Sequence, residues 1–368
     1  MPAPVRLDQR LAERGGVLEL LRLPSALFAG VARLRAAGYR RGWLASTRVP
    51  VPVVSVGNLS AGGTGKTPCV AYLARELERR ELRVGILSRG YGARVASGHE
   101  TSGHASGREN DEARWLRSIL PAVELVQDPD RVRGAEILIE RGVEAILLDD
   151  GFQHRRLARD LDLVLVDSSR PWGLPPPRAG GPPLAACLPR GFLREPPSAL
   201  ARADALVLTR ADQVAPKVLD ELRRELEVLA PGCPQLVGVH RAARLRGPAG
   251  PEDLAALAGR EVELVSGIGN PEAFERTLAE LGARVIAHRV FPDHHAYVAR
   301  DLEGLGAHGR WVVTTEKDAV KLAGQGCHVL GTEFELRDGA SVLAARLDAL
   351  PVAHARRARA ALHEGLHG

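Results

Sequence analysis

Residues 60–67 read Ser60-Ala61-Gly62-Gly63-Thr64-Gly65-Lys66-Thr67, a string suited to holding phosphate. Glycines at 62, 63 and 65 let backbone N–H groups converge on one anion. Lys66 offers a point charge to β- and γ-phosphates, and the Thr67 hydroxyl can ligate Mg²⁺ at the positive end of a following helix. The strict pattern wants glycine at position 60, where this chain has serine. The bland alternative is a glycine-rich turn with a surface lysine. A strand expected over 51–56 and a helix expected from Thr67 to about Arg80 argue against it, as does lysine usage. Of 50 basic residues only Lys66, Lys217, Lys317 and Lys321 are lysine, which leaves 46 arginines. A lysine kept against that bias suggests a site needing a compact charge that a planar guanidinium cannot supply. Lys66 and Lys317 lie inside motif-like strings, whereas Lys217, on a polar helix face, reads as incidental.

A phosphate cradle needs a carboxylate at a neighbouring strand end to hold the metal. Asp149 and Asp150 close the apolar run VEAILLDD and are followed by Gly151, Gln153 and His154. Two adjacent carboxylates there are costly without a cation, while a strand ending in a solvated turn would account for one of them. Three other polar strings have respectable structural readings. Arg108-Glu109-Asn110-Asp111-Glu112 precedes a helix and reads first as an N-cap. Phe291-Pro292-Asp293-His294-His295 could be a metal site, a base with its orienter, or a polar loop. TTEKDAVK (314–321) follows a strand and opens a helix, with capping as the bland account of Thr314 and Thr315.

The elements that must position these residues alternate apolar runs with helical stretches from residue 51 onward, the signature of a parallel sheet wrapped by helices. At 368 residues the chain exceeds one small domain. The expected organisation is an N-terminal amphipathic segment (1–48), a P-loop α/β domain (49–240) and a smaller α/β domain with a basic terminal helix (241–368). Residues 171–197 hold nine prolines, too many for packed regular structure, and read as a long ordered loop or lid. Residues 16–45 mix leucines with arginines and end near Trp43. They could lie in a bilayer interface or pack on the core with solvated arginines. The four cysteines form no C-x-x-C pair, which argues against a zinc site and a disulfide framework. No run approaches the roughly 20 apolar residues of a spanning helix. A net charge of +5 decides nothing alone.

Taken together, GNLSAGGTGKTP, LSRGYGAR, DDGFQHRRLARDLDLVLVD, FLREP, SGIGNP, FPDHH and TTEKDAVK resemble the tetraacyldisaccharide 4'-kinase family of lipid A biosynthesis over nearly the whole chain. The resemblance implies transfer of the γ-phosphate of ATP, with Mg²⁺, to the 4'-hydroxyl of an acylated, 1-phosphorylated glucosamine disaccharide. It also implies a peripheral enzyme at the cytoplasmic face of the bacterial inner membrane, with residues 16–45 facing the lipid. Carried over residue by residue, the P-loop lysine is Lys66, and the metal-associated carboxylates are Asp149 and Asp150. The base is Asp111, oriented by His294, although the family's flanking glycine and proline are here Asn110 and Ala113. Arg131, Arg194 and Glu195 fall at positions near substrate phosphate or metal, and Gln153 and His154 join the substrate side. The loop before FLREP reads PRGF where the family usually has PAGP.

In such a site Lys66, Mg²⁺ and the loop N–H groups would hold the γ-phosphate, while Asp111 takes the proton from the attacking hydroxyl. Two other readings compete. A regulatory or metal-insertion GTPase also carries GGTGKT, and Thr209-Arg210-Ala211-Asp212 loosely mimics a guanine-reading loop, with arginine where lysine is expected. A ParA-like ATPase would need its signature lysine at Ala61. Nucleic-acid binding has no support beyond charge, and no protein partner is evident.

Overall fold

The computed structural model describes residues 7–90, 110–178, 180–293, 295–322 and 326–352. Its centre is one mixed, mostly parallel sheet of 12 strands. In chain order the strands are β1 (Val53–Asn58), β2 (Val84–Ser88), β3 (Glu124–Gln127), β4 (Ala145–Asp149), β5 (Leu161–Asp167), β6 (Ala205–Thr209), β7 (Gln235–Gly247), β8 (Gly250–Glu252), β9 (Glu261–Ser266), β10 (Arg284–Val290), β11 (Trp311–Thr315) and β12 (His328–Asp338). They lie side by side as β10-β9-β11-β12-β7-β6-β5-β1-β4-β2-β3, with β8 pairing β7 alone. Every pairing along this path is parallel except β7 with β12. That long antiparallel pair is the seam between the two parallel series. The boundary expected near residue 240 falls inside β7, so the sheet runs through it without a break.

Strands β1, β2, β4, β5 and β6 are buried along their whole length, as continuous apolar runs covered on both faces must be. The helices are α1 (Leu7–Ala12), α2 (Arg22–Arg40), α3 (Lys66–Glu78), α4 (Asp111–Ile119), α5 (Arg131–Glu140), α6 (Pro216–Leu229), α7 (Pro271–Glu280), α8 (Glu316–Ala319) and α9 (Ala340–Asp348). Helix α3 buries Val70, Leu73, Ala74 and Leu77, the spacing of one helical face. Helix α6 and the segment after β5 cover the opposite face through Leu222, Leu226 and Trp172.

Among its described residues the proline-rich stretch forms no helix or strand before Pro197, yet it is tightly packed: Trp172, Leu174 and Leu193 are buried. Its Arg190 is fully buried and reaches back to Leu11 O at 2.5 Å, Glu13 O at 2.7 Å and Glu19 at 2.7 Å. The N-terminal segment is thereby tied to the loop. A short 3₁₀ turn (Val17–Leu21) leads into α2, which turns Ser25, Ala29 and Gly38 inward. On the outer side Val17, Leu20, Leu23, Leu27, Val31 and Leu34, with Trp43, stand 59–81 % exposed. No helix among the described residues is long and apolar enough to cross a membrane. The basic terminal helix expected beyond residue 352 lies outside the described residues.

Candidate active site

The chemistry-bearing residues gather at the C-terminal ends of the parallel strands, where open α/β sheets bind ligands. Residues 60–65 leave β1 and enter α3 through Gly65, whose φ of 81° is left-handed. Four segments brace the loop. Ala61 N donates to Phe192 O at 2.7 Å and Arg194 N to Leu59 O at 2.8 Å, which fixes FLREP alongside. Thr209, at the end of β6, donates to Thr64 O at 3.0 Å, and Arg210 donates to Gly63 O at 3.2 Å while pairing with Asp167. From the second strand series, Gly269 packs so closely that a Cβ there would overlap the backbone of Gly63. The ring of His240 lies against Gly65, with Nε2 3.3 Å from its carbonyl oxygen. Burial, with Arg210 adding to it, lowers the His240 pKa to about 3, so the ring is neutral.

Lys66, Asp150, Arg194, Gln153 and Asn58 close a ring of contacts. Lys66 Nζ donates to Asn58 Oδ1 at 2.9 Å and lies 3.3 Å from Asp150 Oδ1. Arg194 Nη1 donates to Asp150 Oδ2 at 2.6 Å and to Gln153 Oε1 at 3.4 Å, and Gln153 Nε2 donates to Asn58 O at 2.9 Å. Burial acts most strongly on the Asp150 carboxyl and raises its pKa. Lys66 and Arg194 outweigh it and hold the group well below the carboxylate range, on a residue whose own φ is 55°. Asp149 differs. Burial lifts its pKa to about 6 against the pull of Lys66, and its Oδ1 is buried without a hydrogen-bond partner. An orphaned carboxylate oxygen beside an ionised carboxylate fits a divalent cation.

Asp111 is the first residue of α4, and the cap is Asn110, whose Oδ1 accepts from Ala113 N at 2.9 Å. Asp111 Oδ2 lies 2.8 Å from Lys321 Nζ. Lys317 Nζ lies 2.8 Å from both Glu112 Oε1 and Asp293 Oδ1. The TTEKDAVK string therefore meets the Asp111 helix and the FPDHH loop together. Thr315 caps α8, as the structural reading of that string expected. His294 lies outside the described residues, and His295 stacks on Phe291 and pairs with Asp301 at 2.8 Å.

The model of the tetraacyldisaccharide-1-P 4'-kinase family matches residues 17–351. The chain belongs to that family. A tetraacyldisaccharide 4'-kinase of Anaeromyxobacter dehalogenans is 44% identical over 347 residues, 89% of each chain. One from Chromobacterium violaceum is 41% identical over 317 residues, covering 84% of this chain and 85% of its own. A crystal structure of LpxK from Aquifex aeolicus in complex with ATP superposes with a TM-score of 0.69 at 31% identity, covering 90% of this chain and 98% of that one.

Within this member of the 4'-kinase family the remaining expected residues divide. Gln153 and Arg194 sit in the ring with Lys66. Arg131 is buried beneath it, donating to Asp128 O at 3.1 Å and Asp149 O at 3.2 Å. Burial lowers its pKa to about 10. Glu195 accepts from both Nη atoms of Arg202, at 2.9 and 3.1 Å. The half-buried His154 has its pKa lowered to about 4 by burial and then by Arg131. A cavity opens between Phe28, Val31 and Arg35 of α2 on one wall and Gln153, Arg155, Arg194 and Glu195 on the other. Sequence reasoning missed Asn58, Asp167, His240 and Asn270. Asn270 Nδ2 donates to Asp167 Oδ2 at 3.0 Å, and its string SGIGNP was the signal available.

Proposed function

We infer that this protein transfers the γ-phosphate of ATP to the 4'-hydroxyl of a tetraacylated glucosamine disaccharide 1-phosphate. The observation that carries the inference is the ring joining Lys66 to Asp150, Arg194 and Gln153, one wall of which continues into the cavity under α2. A phosphate-handling lysine thus adjoins a cleft with apolar and cationic walls, as an acylated phosphosugar requires. Thr67, Asp149 and Asp150 would hold Mg²⁺, which, when bound, neutralises charge on the transferred phosphate. Lys66 and the loop N–H groups orient the γ-phosphate, and Asp111, oriented by His294, accepts the proton of the attacking hydroxyl. Residues 49–240 and 241–368 act as two units whose approach assembles the site and excludes water. The GTPase reading is not favoured: Arg210 of the guanine-loop mimic is committed to Asp167 and Gly63.

The exposed apolar side of the 3₁₀ turn and α2 supports docking on a lipid surface and, with it, the reading of a peripheral enzyme at the cytoplasmic face of the inner membrane. One experiment tests these readings. Transfer from γ-labelled ATP to the 1-phosphorylated tetraacyl disaccharide is followed in micelles with Mg²⁺, alongside flotation on anionic phospholipid vesicles. Lys66→Ala is expected to lose at least about 10²-fold in rate. A Leu23→Ser/Leu27→Ser protein is expected to stop floating yet label the acceptor in micelles. A wild type that labels no lipid while hydrolysing GTP refutes the kinase reading, and undiminished flotation of the double variant refutes the docking face.

A further inference from the structure

The TTEKDAVK string assigns each of its polar side chains to a separate partner. Thr314 donates to Val265 O at 2.9 Å, on the neighbouring strand β9. Glu316 accepts from Trp115 Nε1 of α4 at 2.9 Å and lies 3.4 Å from Arg244 of β7. Asp318 is fully buried and accepts from Gly267 N at 3.1 Å, Tyr297 OH at 3.0 Å and Thr315 Oγ1 at 2.8 Å. Gly267 begins the turn that brings Gly269 onto Gly63, and Tyr297 follows the FPDHH loop. Lys317 joins Glu112 to Asp293, and Lys321 meets Asp111. A stretch of eight residues therefore touches α4, the turn packed on the P-loop, and the loop after β10.

Both lysines are half-enclosed or better, with side chains 22 % and 13 % exposed, and Asp111 is 17 % exposed. Lys321 Nζ is buried and finds no well-angled hydrogen-bond acceptor, although it lies 2.8 Å from Asp111 Oδ2. Removing an ammonium from water is costly, and an imperfectly bonded one contributes little as a fastener. What it supplies is a fixed positive charge close against Asp111, with the buried Asp318 Oδ1 farther off at 3.9 Å. In a chain that uses arginine almost everywhere, two lysines four residues apart suit positions that call for a compact point charge.

We propose that Lys317 and Lys321 are positioning residues for phosphate transfer: an ionic clamp that fixes Asp111 for the acceptor hydroxyl when the second strand series sits on α4. Lys321 aims Asp111 directly, and Lys317 holds the adjoining Glu112 to the loop that carries Asp293. The proposal rests on the reading of Asp111 as the base. Neither lysine touches Lys66 or Asn58, so the clamp governs where the phosphate goes more than whether ATP binds.

The test is a steady-state comparison of wild type, Lys321→Met, Lys321→Arg and Asp111→Asn, scoring both labelled lipid and total ATP consumed. Lys321→Met keeps the apolar stem and loses the charge. It is expected to lose about 10–10²-fold in kcat for transfer, with the KM for ATP moved less than about threefold. The share of ATP hydrolysed without transfer should rise, and Lys321→Arg should restore part of the coupling. A merely structural role would lower the active fraction and leave that share unchanged. If Lys321→Met does not yield folded protein by circular dichroism, Lys317→Met carries the same expectation at about tenfold. Transfer lost in Asp111→Asn but kept within about twofold in Lys321→Met overturns the clamp and leaves the base in place. Wild-type transfer by Asp111→Asn removes the base reading and the clamp with it.

Discussion

The P-loop ring and the Asp111 clamp are both built from lysine facing carboxylate, yet they are assembled differently. Lys66 and Asn58 are 8 residues apart, and Asp150 and Arg194 are 44 apart. All of them hang from β1, β4 and the loop before β6, within one parallel series. Trp115 and Glu316, which meet across the clamp, are 201 residues apart, and their helices belong to the two series that β7 and β12 join. The ring comes with the sheet. The clamp depends on the packing of one series against the other across the β7–β12 seam. Damage to the ring should therefore appear in nucleotide handling, and damage to the clamp in coupling.

The largest expected effect lies on the ring side, at Gly65. Its left-handed φ costs a non-glycine residue roughly 1–2 kcal/mol. A Cβ would also overlap the His240 ring, adding about 1–3 kcal/mol. A loop can relax away from both when empty, so the cost returns when ATP draws it into place. Gly65→Ala is expected to weaken ATP binding about 10²-fold by calorimetric titration. Binding within about threefold of wild type would mean that the cradle is not preorganised, and the comparison would fail on its firmer side.

Asp149 gives the next effect, and it acts on stability. Its carboxyl pKa is lifted from 3.8 to about 6, chiefly by burial. Between those pH values the folded protein keeps a proton that the unfolded chain has released. The associated stability is whole below about pH 4 and is lost as pH rises through about 6, with a ceiling of about 3 kcal/mol. Asp149→Asn should thus melt higher than wild type at pH 8 in chelator, and the two should coincide near pH 4. Mg²⁺ should narrow the gap by stabilising wild type alone. No gain at pH 8 would mean that Asp149 is not the desolvated member of the pair.

This division also explains what the sequence disclosed. The glycines, Lys66 and the Asp149–Asp150 pair were legible because backbone approach and strand-end charge leave local patterns. Strands such as the one in VEAILLDD were legible because full burial writes an unbroken apolar run, here Ala145 to Leu148. The seam was not: β7 reads QLVGVHRAARLRG, whose arginines look like a surface until β12 pairs with it. His240 and Asn270 escaped for a related reason, since each acts on the P-loop from outside its own neighbourhood. Lys321 was visible as a rarity without a role, because its partner is 210 residues away in the chain and only the fold brings them together.

The smallest effect separates adhesion from aim within the clamp. Trp115 is 7% exposed, and its indole N–H reaches Glu316 at 2.9 Å. Trp115→Phe keeps most of the apolar contact and removes one hydrogen bond to a carboxylate, a loss of about 1–2 kcal/mol. Glu316 retains Arg244 nearby, so the lower figure is expected, with a melting temperature reduced by about 2 °C in a chain of this size. Transfer and the share of uncoupled hydrolysis should hardly move, because Trp115 fastens α4 through Glu316 and carries no charge that could aim the Asp111 carboxylate. Should Trp115→Phe uncouple the enzyme as strongly as Lys321→Met, closure alone would set the base, and the charge of Lys321 would have no part in aiming it.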